Sequence, residues 1–228
     1  MKKAIVVLSG GLDSTVCMSV AKRRGLDIYP ITFFYGQSHS REIEQAKKIA
    51  DHYKCQKHLI IDLDFFRNIG ASALTTLDID IPTDRNTEKM GNDLPVTYVP
   101  FRNAVFLSMA VGYAESIKAG IIYIGVNALD YSGYPDCRPE FIEAFQKTVD
   151  LGSSAVGEGY RIEIETPLID LTKGEIVKLG LENKAPLHLT TSCYLGGEKA
   201  CGHCDSCLLR LKGFVEAGVT DPIEYEQR

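Results

Sequence analysis

The chain has 228 residues, of which 45% are hydrophobic and 24% charged, and its formal net charge is −5 with a pI of about 5.6. This composition is typical of a folded soluble protein, and no stretch approaches the roughly 20 apolar residues that cross a bilayer. The acidic balance disfavours a broad basic surface for nucleic acid and favours small-molecule substrates. The apolar run near the N-terminus is too short for a secretory signal, so we expect a cytoplasmic protein.

Strand-like and helix-like segments alternate along most of the chain. Buried strands are predicted at 4–8, 28–34, 58–61 and 121–124, with a weaker edge strand at 160–164. Helices are predicted at 14–24, 41–53, 103–118, 139–151 and 173–179. The alternation predicts an α/β fold with a doubly wound parallel sheet, because right-handed crossovers place helices on both faces.

The string Ser-Gly-Gly-Leu-Asp-Ser-Thr at 9–15 lies between the first predicted strand and helix. Phosphates bind at such junctions, where free backbone N–H groups meet the positive helix end. Gly10 and Gly11 permit a sharp turn, the three hydroxyls can donate to phosphate oxygens, and Asp13 can help to hold Mg²⁺. The alternative is a plain turn capped by Asp13 or Ser14. The Walker A lysine is absent, which disfavours γ-phosphoryl transfer.

Residues 72–100 interrupt the alternation with acids, threonines, prolines and little periodicity. A connection of this length is unusual unless it has a function, so we predict a partly mobile lid. Residues 186–228 are predicted to form a small lobe with a helix at 206–217, appended to an α/β domain of residues 1–185.

Four of the seven cysteines crowd into this lobe: Cys193, Cys201, Cys204 and Cys207. Their spacing can direct four thiolates to one tetrahedral Zn²⁺ at about 2.3 Å each, a structural site with no position open for water. An iron–sulfur cluster and free or redox-active thiols are the alternatives. His203 is a spare candidate ligand, whereas Cys17 and Cys55 are predicted to pack in or near helices.

The 9–15 string resembles the pyrophosphate-binding loop of the N-type ATP pyrophosphatases, the PP-loop superfamily. The resemblance implies an adenine nucleotide hydrolase-like fold and a reaction in which a substrate oxygen attacks the α-phosphate of ATP, so that pyrophosphate leaves and an adenylate forms. ATP with Mg²⁺ is the implied substrate. The implied ATP-binding residues are Leu8, Ser9, Gly10, Gly11, Leu12, Asp13, Ser14, Thr15, Val16, Cys17 and Met18.

Further motifs at 98–103, 130–138 and 172–175, together with the four cysteines, resemble the queuosine-biosynthesis branch of this family. Ser38 departs from that branch, in which we expect a basic residue. The resemblance implies an ATP-dependent carbon–nitrogen ligase that adenylylates 7-carboxy-7-deazaguanine, forms an amide with ammonia, and adenylylates the amide oxygen to leave the nitrile. Free ammonium is the expected nitrogen source, because no Cys-His arrangement of a glutaminase is evident.

Two basic residues are assigned to the negative charge of the reaction. Arg102 and Lys173 are predicted to offset charge on the phosphates or on the developing adenylate, as cations do in preorganised sites. The alternative for each is a surface ion pair of little consequence.

The motif at 130–138 is the predicted site for the guanine-like ring. Asp130 and Asp136 are candidates for accepting its N1–H and exocyclic amine, while Arg138 is predicted to meet the carboxylate and Tyr131 or Tyr134 to stack on the ring. The alternative is a loop whose acids cap the next predicted helix, with Asp136 well placed to do so and Cys137 filling space.

Two other functions stay open. The first is a PP-loop tRNA thiolation enzyme. The acidic pI counts against it, because an acidic protein is not expected to bind nucleic acid stably. The second is a nucleotide-sensing module whose cysteine lobe docks a partner. A homodimer formed through the C-terminal helix is expected.

Overall fold

The computed structural model describes residues 2–36, 41–55, 57–76, 78–86, 94–129 and 134–227. The five strands are β1 (Lys3–Val7), β2 (Asp27–Phe34), β3 (Leu59–Asp62), β4 (Ile121–Tyr123) and β5 (Glu163–Glu165). The helices are α1 (Leu12–Arg23), α2 (Arg41–His52), α3 (Phe65–Ile69), α4 (Arg102–Ile117), α5 (Pro139–Gly152), α6 (Lys173–Glu182) and α7 (Asp205–Glu216). Short 3-10 turns occur at Pro135–Cys137 and Leu187–Leu189.

The strands form one parallel sheet in the order β3-β2-β1-β4-β5. The chain runs outward from β1 to β3 and then crosses back to place β4 on the other side of β1. In this order the gap between β1 and β4 is the topological switch point, where open α/β sheets bind ligands. The predicted doubly wound parallel sheet is confirmed.

The edge strand differs from its prediction. β5 spans Glu163–Glu165, three residues after the predicted start at Tyr160. It pairs with β4 alone, and β4 is only three residues long, so the pairing ends where its partner ends. Helix α3 was not predicted, because five residues are too few for a helical period to be recognised.

The hydrophobic core has two parts, one on each face of the sheet. Alternation along β1 turns Ile5 to the face covered by α4 and α5, and turns Ala4 and Val6 to the face covered by α1, α2 and α6. Phe214 of α7 is buried in the second part, so the C-terminal helix packs on the α/β core. The domain division at residue 185 stays a prediction.

Within 72–100, the described residues form no helix or regular strand. The segment is attached to the cysteine lobe by a bridge between Thr83 and Cys204 and by an ion pair of 2.8 Å between Arg85 and the buried Asp205. Mobility of the predicted lid stays a prediction. None of the helices in the described part of the chain is long and apolar enough to cross a membrane.

Candidate active site

A cavity of about 240 Å³ lies at the carboxyl end of the sheet, at the switch point. The ends of β1 and β4 and the first turn of α1 contribute to its wall. Gly125 allows the end of β4 to approach the loop, because a Cβ there would lie 3.0 Å from the backbone nitrogen of Ser14. Gly125 and the cavity-lining Asn127 were not predicted as site residues from the sequence. Their position directly after a predicted buried strand could have indicated them.

The loop between β1 and α1 has the geometry of an anion site. Gly10 has φ +83°, and a Cβ there would lie 2.3 Å from the carbonyl oxygen of Glu42, so only glycine fits. Gly11 occupies the N-cap of α1 without a side-chain cap, which places Asp13 and Ser14 inside the first turn. The alternative of a turn capped by Asp13 or Ser14 is therefore wrong. The residues of the first turn of α1, whose N–H groups have no acceptor within the helix, line the cavity.

The hydroxyl groups of the loop divide into two kinds. Ser9 Oγ lies 3.1 Å from Ser14 Oγ and accepts from the N–H of Gly11 at 3.2 Å, at the cavity wall. Ser14 Oγ also donates to the Gly11 carbonyl, at 3.1 Å. Thr15 donates to the same carbonyl at 2.8 Å, but it is fully buried and does not line the cavity. Ser9 and Ser14 are thus placed to meet a ligand, whereas Thr15 holds the turn.

The other residues of the predicted ATP-binding stretch also divide in this way. Gly11, Leu12 and Asp13 line the cavity. The remaining side chains pack in the core beneath the loop and support it: Leu8, Val16, Cys17 and Met18. Burial raises the pKa of the Cys17 thiol, which therefore stays neutral.

Lys173 begins α6 and reaches the 9–15 loop from a distant part of the sequence. Its Nζ lies 2.9 Å from both carboxylate oxygens of Asp13, and its side chain is only 12% exposed. A capping box between Thr172 and Glu175 fixes the start of the helix. The alternative of a surface ion pair does not apply to Lys173, which lines the cavity beside the loop.

The stem of Lys173 packs against Gly213 of α7, and we predict that Gly213→Ala misplaces the ammonium group. A Cβ at Gly213 would lie 2.4 Å from Lys173 Cγ. We expect activity to fall about tenfold, because even a small displacement of a cation that is predicted to offset developing charge is costly. Gly112→Ala in α4 is the matched control, since nothing lies within 4 Å of that site. Equal turnover of the two variants would contradict the prediction.

Arg102 begins α4 and forms part of the cavity wall. Its guanidinium donates to the Tyr35 hydroxyl at 2.9 Å and lies over the rings of Tyr35 and Phe106, 5.1 and 5.8 Å from their centroids. Burial acts to lower the pKa of Arg102, but the nearby Tyr35, Tyr134 and Asp136 raise it above its ordinary value. The side chain is therefore a fixed positive charge at the site.

Asp136 is 3% exposed and accepts the backbone N–H of Asn103 at 3.0 Å, in the first turn of α4. Burial raises the pKa of its carboxyl group. The capping alternative predicted that Asp136 caps the next helix, α5. The N-cap residue of α5 is instead the exposed Arg138, whose side chain makes no capping hydrogen bond to the first turn. Asn103 and Cys137 belong to the described residues that line the cavity, whereas Asp136 and Arg138 do not.

We predict that Asp136→Ala lowers the free energy of unfolding by about 1–2 kcal/mol, because the N–H of Asn103 loses its acceptor. Asp136→Asn keeps an acceptor oxygen and should retain most of the stability. Urea unfolding of both variants measures the difference. Two equally unstable variants would contradict the capping role, and lost substrate affinity in a stable Asp136→Asn protein would support the ring-binding role.

Of the predicted ring-binding residues, Asp130 and Tyr131 lie outside the described residues. Tyr134 lines the cavity, with its hydroxyl 3.0 Å from Thr97 Oγ1 and its ring 5.5 Å from that of Tyr98. Burial raises the pKa of Cys137 to about 12, so this cavity thiol is neutral at physiological pH. The structure thus brings Arg102, Lys173 and Tyr134 to one cavity.

The four clustered cysteines form a compact group. Their sulfur atoms all lie within 4.8 Å of one another, and the residues are buried: Cys193, Cys201, Cys204 and Cys207. A tetrahedral zinc ion with thiolates at about 2.3 Å places its sulfurs about 3.8 Å apart, which fits the 3.9 Å between the sulfurs of Cys201 and Cys207. The group can therefore hold a metal ion.

His203 is not part of that group. It donates its backbone N–H to the sulfur of Cys201 at 3.4 Å, and its ring Nδ1 lies 3.9 Å from a carboxylate oxygen of Asp84. The N–H of Cys204 donates to the same sulfur at 3.3 Å. Such N–H···S contacts stabilise the negative charge of a thiolate, which is the form of cysteine that binds a cation.

An open parallel sheet with a serine- and glycine-rich loop at its switch point, and a lysine and an arginine that line the cavity there, defines a nucleotide-using enzyme of the PP-loop class. Residues 3–218 match the family described as "Queuosine biosynthesis protein QueC", and the chain belongs to this family.

Proteins named "7-cyano-7-deazaguanine synthase" are similar over the full length. The one from Acetivibrio thermocellus is 57% identical over 228 residues and is covered completely, as is this chain. The one from Oceanobacillus iheyensis is 58% identical, with 98% of each chain covered. Among solved structures, a 4-thiouridine synthetase in complex with RNA and ATP shares the fold, with a TM-score of 0.52, 18% identity and coverage of 98% of this chain and 47% of that chain.

Proposed function

We propose that the chain converts 7-carboxy-7-deazaguanine and ammonia into 7-cyano-7-deazaguanine, with two molecules of ATP converted to AMP and pyrophosphate. Its full-length similarity to proteins of that name supports the reaction. The observation that carries the proposal is the junction of the 9–15 loop with Lys173 at the switch point of the sheet. This junction supplies backbone donors and a cation for a polyphosphate at one place.

The first step is attack of the substrate carboxylate on the α-phosphate of ATP. Pyrophosphate leaves toward the N-terminus of α1, where the first-turn N–H groups, the Ser9 hydroxyl and Lys173 offset its charge. Arg102, which also lines the cavity, is assigned to offset charge on the adenylate. Neutral ammonia then attacks the acyl carbon and displaces AMP, and the product is the amide.

The second step repeats the same event on the amide oxygen with a second ATP. Loss of AMP and of two protons from the activated amide leaves the nitrile, so one site serves both steps. The apolar part of the wall, which includes Phe106 and Val126, limits the access of water to the adenylates. Competing hydrolysis would consume ATP without forming a nitrile.

The proposal includes two metal ions with different roles. The four cysteines hold Zn²⁺ as a structural ion, because four sulfur ligands leave no position for water or substrate. Mg²⁺ accompanies ATP, and the Asp13 carboxylate at the cavity wall is the residue that would hold it. The alternative, an iron–sulfur cluster, is distinguished by its visible absorption.

We also propose that the protein works in the cytoplasm as a homodimer. Its seven cysteines are all unpaired, which fits a reducing compartment. On α7, Val215 is 77% exposed on the side away from the core and is a candidate contact between two copies. Sedimentation analysis of Val215→Glu against the unchanged protein tests this surface.

The test of the reaction is product analysis by mass spectrometry after incubation with ATP, Mg²⁺, ammonium and 7-carboxy-7-deazaguanine. We expect the nitrile and about two AMP per product, as two adenylylation steps require. The competing PP-loop tRNA thiolation activity would instead place sulfur in tRNA. A folded, metal-loaded protein that forms neither AMP nor nitrile would contradict the proposed function.

A further inference from the structure

The residues just before Cys193 lie directly against the 9–15 loop. The backbone N–H of Thr191 donates to the Gly10 carbonyl at 3.0 Å, and a Cβ at Gly11 would lie 3.5 Å from the Thr191 carbonyl oxygen. The next residue, Ser192, is half-buried and lines the cavity together with Ser9 and Gly11. The C-terminal lobe therefore contributes a hydroxyl beside the loop.

A buried arginine acts on that hydroxyl. Arg210 is 1% exposed, and two of its nitrogens bind both carboxylate oxygens of Asp221 at 2.7 and 2.9 Å. Its remaining terminal nitrogen donates to Thr190 Oγ1 at 2.7 Å and to Ser192 Oγ at 3.4 Å. Because Asp221 neutralises the guanidinium, Arg210 is better suited to orient neighbours than to bind a phosphate itself.

The direction of these hydrogen bonds decides what Ser192 can do. Arginine has no acceptor, so Ser192 Oγ accepts from Arg210, and its own O–H is left to donate elsewhere. Cys193, the next residue along the chain, belongs to the metal-binding group and anchors the segment. The hydroxyl is thus held from two sides at the wall of the cavity.

We propose that Ser192 binds the pyrophosphate portion of the ATP held by the 9–15 loop, and that Arg210 is a positioning residue that orients its hydroxyl. This inference rests on the proposed function only in placing a polyphosphate at that loop. Ser192 is also bonded directly to Cys193, so it links the metal-binding group to the phosphate site.

The test is calorimetric titration of Ser192→Ala with three ligands: inorganic pyrophosphate, ATP with Mg²⁺, and AMP. We expect the affinity for pyrophosphate and for ATP to fall about 10- to 100-fold, because a hydrogen bond to a charged group is lost. The affinity for AMP should be unchanged, since AMP lacks the groups that Ser192 contacts. Ser108→Ala, which removes a hydroxyl bound to a helix carbonyl at 2.8 Å in α4, is the matched control.

The role of Arg210 is tested by a double-mutant cycle with Arg210→Lys, which keeps the charge beside Asp221. We expect Arg210→Lys to weaken pyrophosphate binding in the unchanged protein and to have no further effect in Ser192→Ala. An equal effect in both backgrounds would overturn the positioning role. Metal content and thermal unfolding of each variant establish that the proteins compared are folded.

Unchanged pyrophosphate affinity in a folded Ser192→Ala protein, while the unsubstituted protein binds pyrophosphate, would overturn this inference alone. An unsubstituted protein that binds neither ATP nor pyrophosphate would contradict the proposed function instead.

Discussion

Lys173→Met is expected to lower turnover by a factor of about 10² to 10³, the effect of removing one preorganised group that stabilises transition-state charge. The Lys173 ammonium group lies 2.9 Å from the carboxylate of Asp13 in the 9–15 loop. The capping box at the start of α6 and the packing of the Lys173 side chain on Gly213 hold it there. In the proposed reaction, the pyrophosphate that leaves develops its charge beside this ammonium group.

The stability of the Lys173→Met protein should change by less than about 1 kcal/mol, since the Asp13 side chain is 27% exposed and water can replace its partner. Turnover is measured by AMP release at saturating ATP, and unfolding by urea. Lys178→Met is the matched control, because Lys178 lies on the exposed face of the same helix. The catalytic role would be refuted if both variants retained full activity.

Cys207→Ser is expected to release the metal and to lower the free energy of unfolding by more than about 4 kcal/mol, an unusually large effect for which loss of a metal site is one of the few causes. The remaining three thiolates would face one another in a buried pocket without the cation that neutralises them. Because Cys193 anchors the segment that carries Ser192, the affinity for pyrophosphate should fall as well.

Metal content by mass spectrometry and urea unfolding measure the two effects. Cys55→Ser is the control: Cys55 is half-buried, and burial raises its pKa to about 11, so it carries no thiolate charge. That variant should keep its metal and lose no more than about 1 kcal/mol. A Cys207→Ser protein with full metal content and normal stability would show that these four cysteines are not the ligands.

Several features of the fold and the site follow from local sequence patterns. The run at 4–8 followed by the glycine-rich string predicted a strand, a tight turn and a helix, and the structure has β1, a loop and α1 in that order. Phosphate binding by this loop stays a prediction. The spacing of the four cysteines predicted a metal-binding group, which their sulfur positions support. These predictions succeed because periodicity, turn geometry and ligand spacing are properties of a few consecutive residues.

Other features depend on the tertiary structure alone. The ion pair of Lys173 with Asp13 joins residues 160 positions apart. It forms because the chain crosses back to place β4 and β5 on the other side of β1, and α6, which follows β5, then packs against α1. Asp136 precedes α5 in the sequence, yet it accepts a hydrogen bond from α4, 33 positions away. The sequence by itself determined the alternation of elements, the glycine-rich loop between β1 and α1, and the grouping of the four cysteines; the packing of the elements decided which distant side chains meet at the cavity, because contacts across a folded core have no fixed spacing along the chain.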